Sequence, residues 1–505
     1  MNNNLAHIAD GLSRHVGKGV YAYIGSDVEF FEYTTVQSDV AGKMDGLRAM
    51  GVKPGMNVAI SAANSYEWIV TDLATVSLDC CLVAIPEEVA LSLEFMDQYA
   101  LHLALVQKAG HEQMVVPGGC IAFIDAANPG GVRAREDVPA STGDGDAFSI
   151  TFSSGTSGVP KAMRISRCGT ENWIRFLVEQ FGITRDDSIL IFLPFSHLQQ
   201  RMLLYVAAMV GMDFIVTRPE RLFMALSRLS PSLLVAPPMF YESVETRARA
   251  FLPEDHSGDQ RRMEIQTVLG GRARRLFTGF APIRKETLEF YDQAGLPLYE
   301  GYGVTECGQV CLNTPAAYRL GSVGKPVDDA DLRLADDGEV QVKKKYPLSL
   351  GYVGPVAEAG TATGEYHPTG DIGQFDEDGF LYIIGRTKEI IVTRGGYKVH
   401  PQVLEEELDK CPGVNKAVVF GTDLPSLVAL VSLDTEVTSA AKEAIQAHVD
   451  ELNKSAPSPR RIGKVVFTER TFDETSGLLT RSLKLNRAAV FDAFKAEIMG
   501  KWANQ

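Results

Sequence analysis

The chain has 505 residues, 45% of them hydrophobic and 22% charged, with a formal net charge of −15. Its length exceeds one ordinary core, so at least two domains are expected, and the composition is that of a soluble globular protein. The acidic balance and the lack of a basic run argue against a nucleic-acid-binding role. In chain order, Asn57–Ser61 reads as a strand, Ser65–Ser77 as a helix and Cys81–Ile85 as a strand. Phe148–Phe152 reads as a buried strand, and Ser188–Leu193 as a strand before a helix starting near Gln199. Leu233–Ala236 leads through Pro237-Pro238 into a helical stretch around Tyr241–Arg247, and Arg275–Thr278 through Pro282 into Lys285–Tyr291. Repeated strand–loop–helix units predict an α/β fold, a large N-terminal domain of parallel sheets flanked by helices, with ligands at the carboxyl ends of the strands. After about residue 320 the strands shorten into a β-rich subdomain, with Asp376–Gly379 as a turn between Ile372–Phe375 and Phe380–Ile384. Past Arg386 come a helix (Pro401–Cys411), two strands (Ala417–Phe420, Val428–Leu433), a helix (Ala440–Asn453) and a strand (Lys464–Phe467). These elements predict a separate small α+β domain, so the expected division is 1–387 and 388–505.

The seven cysteines (Cys80, Cys81, Cys120, Cys168, Cys307, Cys311, Cys411) include no CxxC pair. They point to a reducing compartment and away from a disulfide framework or zinc site. Cys307 and Cys311 have a spacing that fits one helix face, but two thiols without a His partner read as core residues or a chance spacing. The N-terminus lacks a signal pattern, and the longest apolar run, Met202–Met212, is too short to cross a bilayer. A cytoplasmic protein without a transmembrane segment is expected.

The most informative stretch is Ser153-Ser154-Gly155-Thr156-Ser157-Gly158-Val159-Pro160-Lys161. Glycine and hydroxyl residues let backbone N–H groups approach a polyphosphate, and Lys161 adds a mobile cation. The spacing is not that of a Walker P-loop. Taken alone, the stretch reads equally well as an ordinary surface loop. With a net acidic chain, an anionic nucleotide must be met by such local groups and not by a global field.

Further motifs follow in order: Glu300-Gly-Tyr-Gly-Val-Thr-Glu306, Thr369-Gly-Asp371, Gly385-Arg-Thr-Lys388 and Leu479-Thr-Arg-Ser-Leu-Lys-Leu-Asn-Arg487. In order and spacing these resemble the adenylate-forming superfamily of acyl-CoA synthetases, luciferases and adenylation domains, over nearly the whole chain. Ala162 stands where that superfamily has a glycine. The chemistry suits the residue types. Adenylating a carboxylate drives one anion against another, so the site needs fixed cations and donors more than an acid–base pair. Glu306 suits Mg²⁺, which prefers carboxylate and phosphate oxygens. Thr305 can donate to the α-phosphate, and Tyr302 offers a flat face to adenine.

The resemblance implies further roles. Ser153, Ser154, Gly155, Thr156, Ser157, Gly158 and Lys161 would bind the phosphates. Gly279, Phe280, Ala281, Glu300, Gly301 and Tyr302 would complete the ATP site, with Asp371 on the ribose hydroxyls and Arg386 on sugar and phosphate. Lys484 would bridge the carboxylate and the α-phosphate during adenylation. Lys388 falls at the hinge where a small mobile C-terminal domain rotates between half-reactions, after which Gly395 and Gly396 would admit the pantetheine arm.

Within the superfamily the chain is most similar to long-chain fatty acyl-CoA synthetases. The segments carrying this are Leu193-Pro-Phe-Ser-His-Leu-Gln-Gln-Arg201, Thr393-Arg-Gly-Gly-Tyr-Lys-Val-His-Pro-Gln402 and the ending around Lys484. His197, Gly303 and Phe280 would then border the acyl pocket. Phe280 departs from the small residue usual there, and its ring would shorten or divert the acyl tunnel. His367-Pro368 before Thr369 is a second departure. The resemblance implies that a carboxylic acid and ATP give acyl-adenylate and pyrophosphate, and that a thiol then takes the acyl group with release of AMP. ATP, Mg²⁺ and CoA are the implied cofactors. The phosphopantetheine of an acyl carrier protein remains an alternative acceptor. A catalytically silent homologue is a third reading, and intact Lys161, Glu306, Asp371, Arg386 and Lys484 argue against it.

Overall fold

The computed structural model describes residues 4–87, 89–107, 119–125, 131–138, 146–153, 161–279, 281–354, 365–393, 397–422, 424, 426–433, 436–472, 476–479 and 485–500. Ser154, Gly155, Thr156, Ser157, Gly158, Phe280, Gly395, Gly396 and Lys484 lie outside the described residues, and Ser153 is described by its backbone alone. Packing divides the chain into two compact units, Met1–Asp331 with Val342–His367, and Leu332–Gln341 with Pro368–Gln505. Among the described residues no helix is long and apolar enough to cross a membrane.

The first unit holds two large sheets. The nine-stranded sheet runs Lys325–Pro326, Gly308–Leu312, Leu298–Val304, Arg275–Thr278, Leu233–Ala236, Ser188–Ile191, Asp213–Val216, Gly19–Ile24 and Asp27–Glu32. The seven-stranded sheet runs Ser349–Val353, Lys161–Ser166, Ala147–Ser153, Cys81–Ala84, Asn57–Ser61, Leu103–Val106 and Ile121–Phe123. Both sheets have parallel centres, as predicted. Asn57–Ser61, Cys81–Ala84 and Leu103–Val106 are buried at every position, the pattern of strands covered on both faces. Ser65 starts the helix Tyr66–Ser77 by accepting the Trp68 N–H on its hydroxyl.

Antiparallel pairs stand at both edges of the nine-stranded sheet and at one edge of the seven-stranded sheet. Gly308–Leu312 turns back on Leu298–Val304, and Lys161–Ser166 turns back on Ala147–Ser153. These two hairpins carry the motifs around Lys161 and Glu306. Cys307 sits in a turn and Cys311 in the strand that follows, so they share no helix face. Both are buried, and burial pushes the Cys307 thiol up to about 12, so the pair belongs to the core.

In the second unit, His367–Phe375 and Leu381–Arg386 form the predicted hairpin inside a four-stranded sheet. The tail folds as Pro401–Asp409 (helix), Val414–Phe420 and Leu427–Leu433 (strands), Ser439–Ser455 (helix) and Ile462–Thr468 (strand). Alternate residues of these strands serve two cores. Ala417, Val419, Ala429 and Val431 pack with Leu408, Ile445 and Val449, whereas Val418, Phe420, Val428 and Leu430 pack with Phe472, Leu478, Val490 and Ile498.

Candidate active site

Ser153 pairs with Lys161 across the end of the first hairpin. Strand alternation sorts the side chains. Phe152, Ala162 and Val353 belong to one apolar core. Thr151, Lys161, Met163 and Tyr352 therefore share the opposite face, since Thr151 and Tyr352 both oppose Met163. On that face the Lys161 ammonium lies 5.7 Å from the centre of the Tyr352 ring, a cation–π contact.

The second hairpin brings Glu306 to the same place. Thr305 and Glu306 are half-buried in the turn between Leu298–Val304 and Gly308–Leu312. The Tyr352 hydroxyl donates a hydrogen bond to Oε1 of Glu306. Burial, and then Glu306 itself, pushes the Tyr352 phenol well above its ordinary value, so it keeps its proton and is the donor. Lys161, Tyr352 and Glu306 thus form one connected group joining the two sheets. Tyr352 was not among the residues the sequence pointed to. Its strand carries no motif, and only the register opposite Met163 places it beside Lys161.

The glycines of Glu300-Gly-Tyr-Gly have a structural reason. A Cβ on Gly303 would lie 2.3 Å from the Gly308 carbonyl oxygen, closer than any side chain tolerates. Gly279 follows the strand next to Gly301, where a Cβ would meet the Gly301 carbonyl at 2.9 Å. Tyr302 is half-buried in its strand, and Ala281 is exposed. Glu300 keeps part of its surface accessible, yet its Oε2 is buried with no hydrogen-bond partner among the described residues. Burial pushes that carboxyl up to about 8.

Among the described residues no three His, Cys, Asp or Glu side chains cluster to hold a metal ion. Glu306 alone fits Mg²⁺ brought in on a polyphosphate, because that ion keeps several waters and needs only one or two protein carboxylates.

His197 is exposed just before the helix Leu198–Val210. Asn64 clips the segment leading to it, donating to the Leu193 carbonyl at 2.9 Å and accepting the Phe195 N–H at 2.9 Å. Thr151 donates to the Ser196 carbonyl at 3.4 Å, which sets this segment beside the face carrying Lys161. Arg201, the end of the same motif, is core. Its guanidinium binds Asp72 through Nε (3.0 Å) and Nη2 (2.9 Å), with the Arg201 and Asp72 side chains 1% and 0% exposed.

In the second unit, Asp371 and Arg386 are paired across the hairpin, with Nε donating to Oδ1 at 2.9 Å. Asp371 is buried and the Arg386 side chain is 51% exposed. Gly370 adopts φ +76° and donates to Glu339 Oε1 at 2.9 Å, while Thr369 donates to the Val340 carbonyl at 2.8 Å. The motif is therefore a kinked strand start that holds Asp371 in place. Lys388 is exposed in a short 3₁₀ turn, Thr387–Glu389. The residues flanking Lys484 are fixed: Leu479 bridges to Leu485, and Asn486 donates its N–H to the Leu478 carbonyl at 2.8 Å. Arg487 then clasps Glu405 with both guanidinium nitrogens, at 2.6 and 2.9 Å.

The AMP-binding enzyme family model matches residues 21–352, and the model of the AMP-binding enzyme C-terminal domain matches residues 388–505. The long-chain-fatty-acid–CoA ligase FadD15 of Mycobacterium tuberculosis is 28% identical over 90% of this chain and 89% of its own. Long-chain-fatty-acid–CoA ligase 1 of Homo sapiens is 25% identical over 88% of this chain and 78% of its own. Among solved structures, ATP-bound MatB from Rhodopseudomonas palustris superposes with a TM-score of 0.78 at 20% identity, covering 99% of this chain and all of that one. MenE from Bacillus subtilis, an o-succinylbenzoate CoA synthetase bound to its acyl-adenylate intermediate, gives 0.73 at 20% identity and covers 99% of both chains. The first family model alone spans well over half of the sequence, and the chain belongs to the AMP-binding enzyme family.

Proposed function

We propose that this protein is an AMP-forming acid–thiol ligase that activates a fatty acid with ATP and passes the acyl group to CoA. The observation that carries this reading is the Lys161–Tyr352–Glu306 group, which sets a cation and a metal-competent carboxylate side by side at the base of a glycine- and hydroxyl-rich loop. Such a pair serves an attack on phosphorus better than acid–base chemistry. The fatty acid follows from likeness to relatives named long-chain-fatty-acid–CoA ligases over about nine-tenths of the chain.

The substrate carboxylate attacks the α-phosphorus of ATP, forming the acyl–O–P bond and expelling pyrophosphate. The CoA thiolate then attacks the acyl carbon, forming the thioester and expelling AMP. Glu306 would hold Mg²⁺, which supplies charge neutralisation on the phosphates. Lys161 and the 153–158 loop bind those phosphates, and Thr305 donates to the α-phosphate. Gly279, Phe280, Ala281, Glu300, Gly301 and Tyr302 serve the adenine side. Asp371 accepts from the ribose hydroxyls, with Arg386 directed by its contact to Asp371. Lys484 stabilises the adenylation transition state, and Lys388 is the hinge of a small domain, residues 388–505. Gly395 and Gly396 pass the pantetheine arm, while His197, Gly303 and Phe280 border the acyl chain. The described cysteines are all free, which fits a reducing compartment, the cytoplasm.

The test is AMP and pyrophosphate release from ATP and Mg²⁺ across fatty, branched and aromatic acids, each with and without CoA. CoA-dependent AMP formation on fatty acids is expected. Pyrophosphate release that CoA does not stimulate would move the acceptor to a carrier protein. Silence across the panel would overturn the ligase reading.

A further inference from the structure

Tyr352 touches both charged groups of the site, and no motif assigns it a role. Its position is determined twice. The strand register places it diagonally across from Lys161 on the same sheet face, and its ring lies under the Lys161 ammonium at 5.7 Å. Its hydroxyl, meanwhile, donates to Glu306 Oε1.

Glu306 needs such a fixed point. It sits in a hairpin turn, half-buried, and a glutamate there loses rotamer freedom only if something holds it. Among the described residues no second carboxylate, His or Cys joins it in a metal-sized cluster. One carboxylate with phosphate and water must then hold the cation, so its orientation decides how well it does so. Oε1 is engaged by Tyr352, and no contact among the described residues engages Oε2.

We infer that Tyr352 is a positioning residue for Glu306, fixing Oε1 so that Oε2 faces the divalent cation that arrives with ATP. The inference rests on the ligase reading for its ligand, MgATP, but calorimetry tests it without turnover. Full-length wild type and Tyr352→Phe are titrated with ATP in Mg²⁺ and with ATP in EDTA. Tyr352→Phe keeps the ring under Lys161 and removes only the hydroxyl. Affinity for MgATP should fall about tenfold, the size of a lost hydrogen bond to a charged group, while affinity for ATP in EDTA stays within about twofold. Mn²⁺ held with ATP, read by electron paramagnetic resonance, should weaken in parallel. In turnover, the apparent Mg²⁺ requirement should rise about tenfold with the KM for the acid unchanged. Tyr352→Leu, which also removes the ring, should additionally weaken ATP in EDTA through Lys161.

Unchanged or tighter MgATP binding in Tyr352→Phe would overturn the inference, as would equal losses with and without Mg²⁺. A wild-type protein that binds MgATP but turns over no acid would sink the ligase reading and leave the calorimetric test of Tyr352 standing.

Discussion

Glu300 lies in the strand leading to Glu306, and burial, opposed only by the Gly321 backbone N–H, pushes its carboxyl up to about 8. The unfolded chain releases the same proton near 4.5. Between these values the folded state binds the extra proton, so stability should fall as pH rises from about 4.5 to about 8, by up to about 1.4 kcal/mol per pH unit. Glu300→Gln imitates the protonated form and should lose that slope, leaving the variant more stable than wild type above pH ~8. Denaturant midpoints measured across this window decide it, and coincident slopes would mean that the folded chain carries Glu300 charged. Arg201 makes a complementary case. The Leu193–Arg201 segment pointed to the acyl pocket, but its arginine is locked to Asp72 and Ser149 in the core, where the Tyr205 hydroxyl also donates to Asp72. Arg201→Met leaves the Asp72 charge buried without its cation, though still hydrogen-bonded by the Tyr205 hydroxyl, and should cost about 3–5 kcal/mol. Adding Asp72→Leu should recover most of that loss. A double variant no more stable than the single would show that the pair's own attraction, not the orphaned charge, carries the cost.

Elements with continuous apolar runs were legible in the sequence to within a few residues: Asn57–Ser61, Leu233–Ala236 and Arg275–Thr278 match without change. Their burial is dictated by composition, so no partner need be known. Edge elements were not legible. Asp27–Glu32 has only exposed and half-buried positions, its neighbour Gly19–Ile24 mixes buried with exposed ones, and the helix Tyr33–Ala49 buries only Tyr33, Val36, Val40 and Leu47 of its residues. Ser349–Val353 is the costliest omission. Its sequence, Ser-Leu-Gly-Tyr-Val, is a strand because Lys161–Ser166, far earlier in the chain, pairs with it. Register of that kind is tertiary information. The closing motif shows the same limit. Arg487 ends that motif with no role read for it, yet it clasps Glu405, which also accepts the Val419 N–H at 2.6 Å. Arg487→Met should destabilise the second unit by about 2 kcal/mol, less than a fully buried pair because the arginine side chain is 21% exposed. Hydrogen exchange should quicken in the 485–494 segment first. Unchanged protection there would show that the Leu479–Leu485 bridge holds the segment without Arg487.

At the scale of the whole chain, the motifs are divided between the two compact units. Lys161 and Glu306 belong to the first, and Asp371, Arg386 and Lys388 to the second, as does the segment carrying Lys484, Gly395 and Gly396. The sequence made this set of residues visible because adenylation needs cations and donors at motif spacing, and short motifs survive in one chain's text. Contacts made through packing, such as Tyr352 to Glu306, leave no such trace. The division also separates two chemistries that one assay would blur. If Lys484 acts on the α-phosphate, its loss should matter only while phosphorus is under attack. Lys484→Ala should reduce acyl-adenylate formation by at least about a hundredfold, the scale of removing one preorganised donor. Thioester formation from supplied acyl-adenylate and CoA should stay within a few-fold of wild type, because that step breaks no bond at phosphorus that Lys484 would stabilise. If Glu306 holds Mg²⁺ on the phosphates, Glu306→Gln should share this asymmetry. Measured as two separate half-reactions, an equal loss of both in Lys484→Ala would remove the lysine from adenylation and make it a residue that both steps use, such as one that holds AMP.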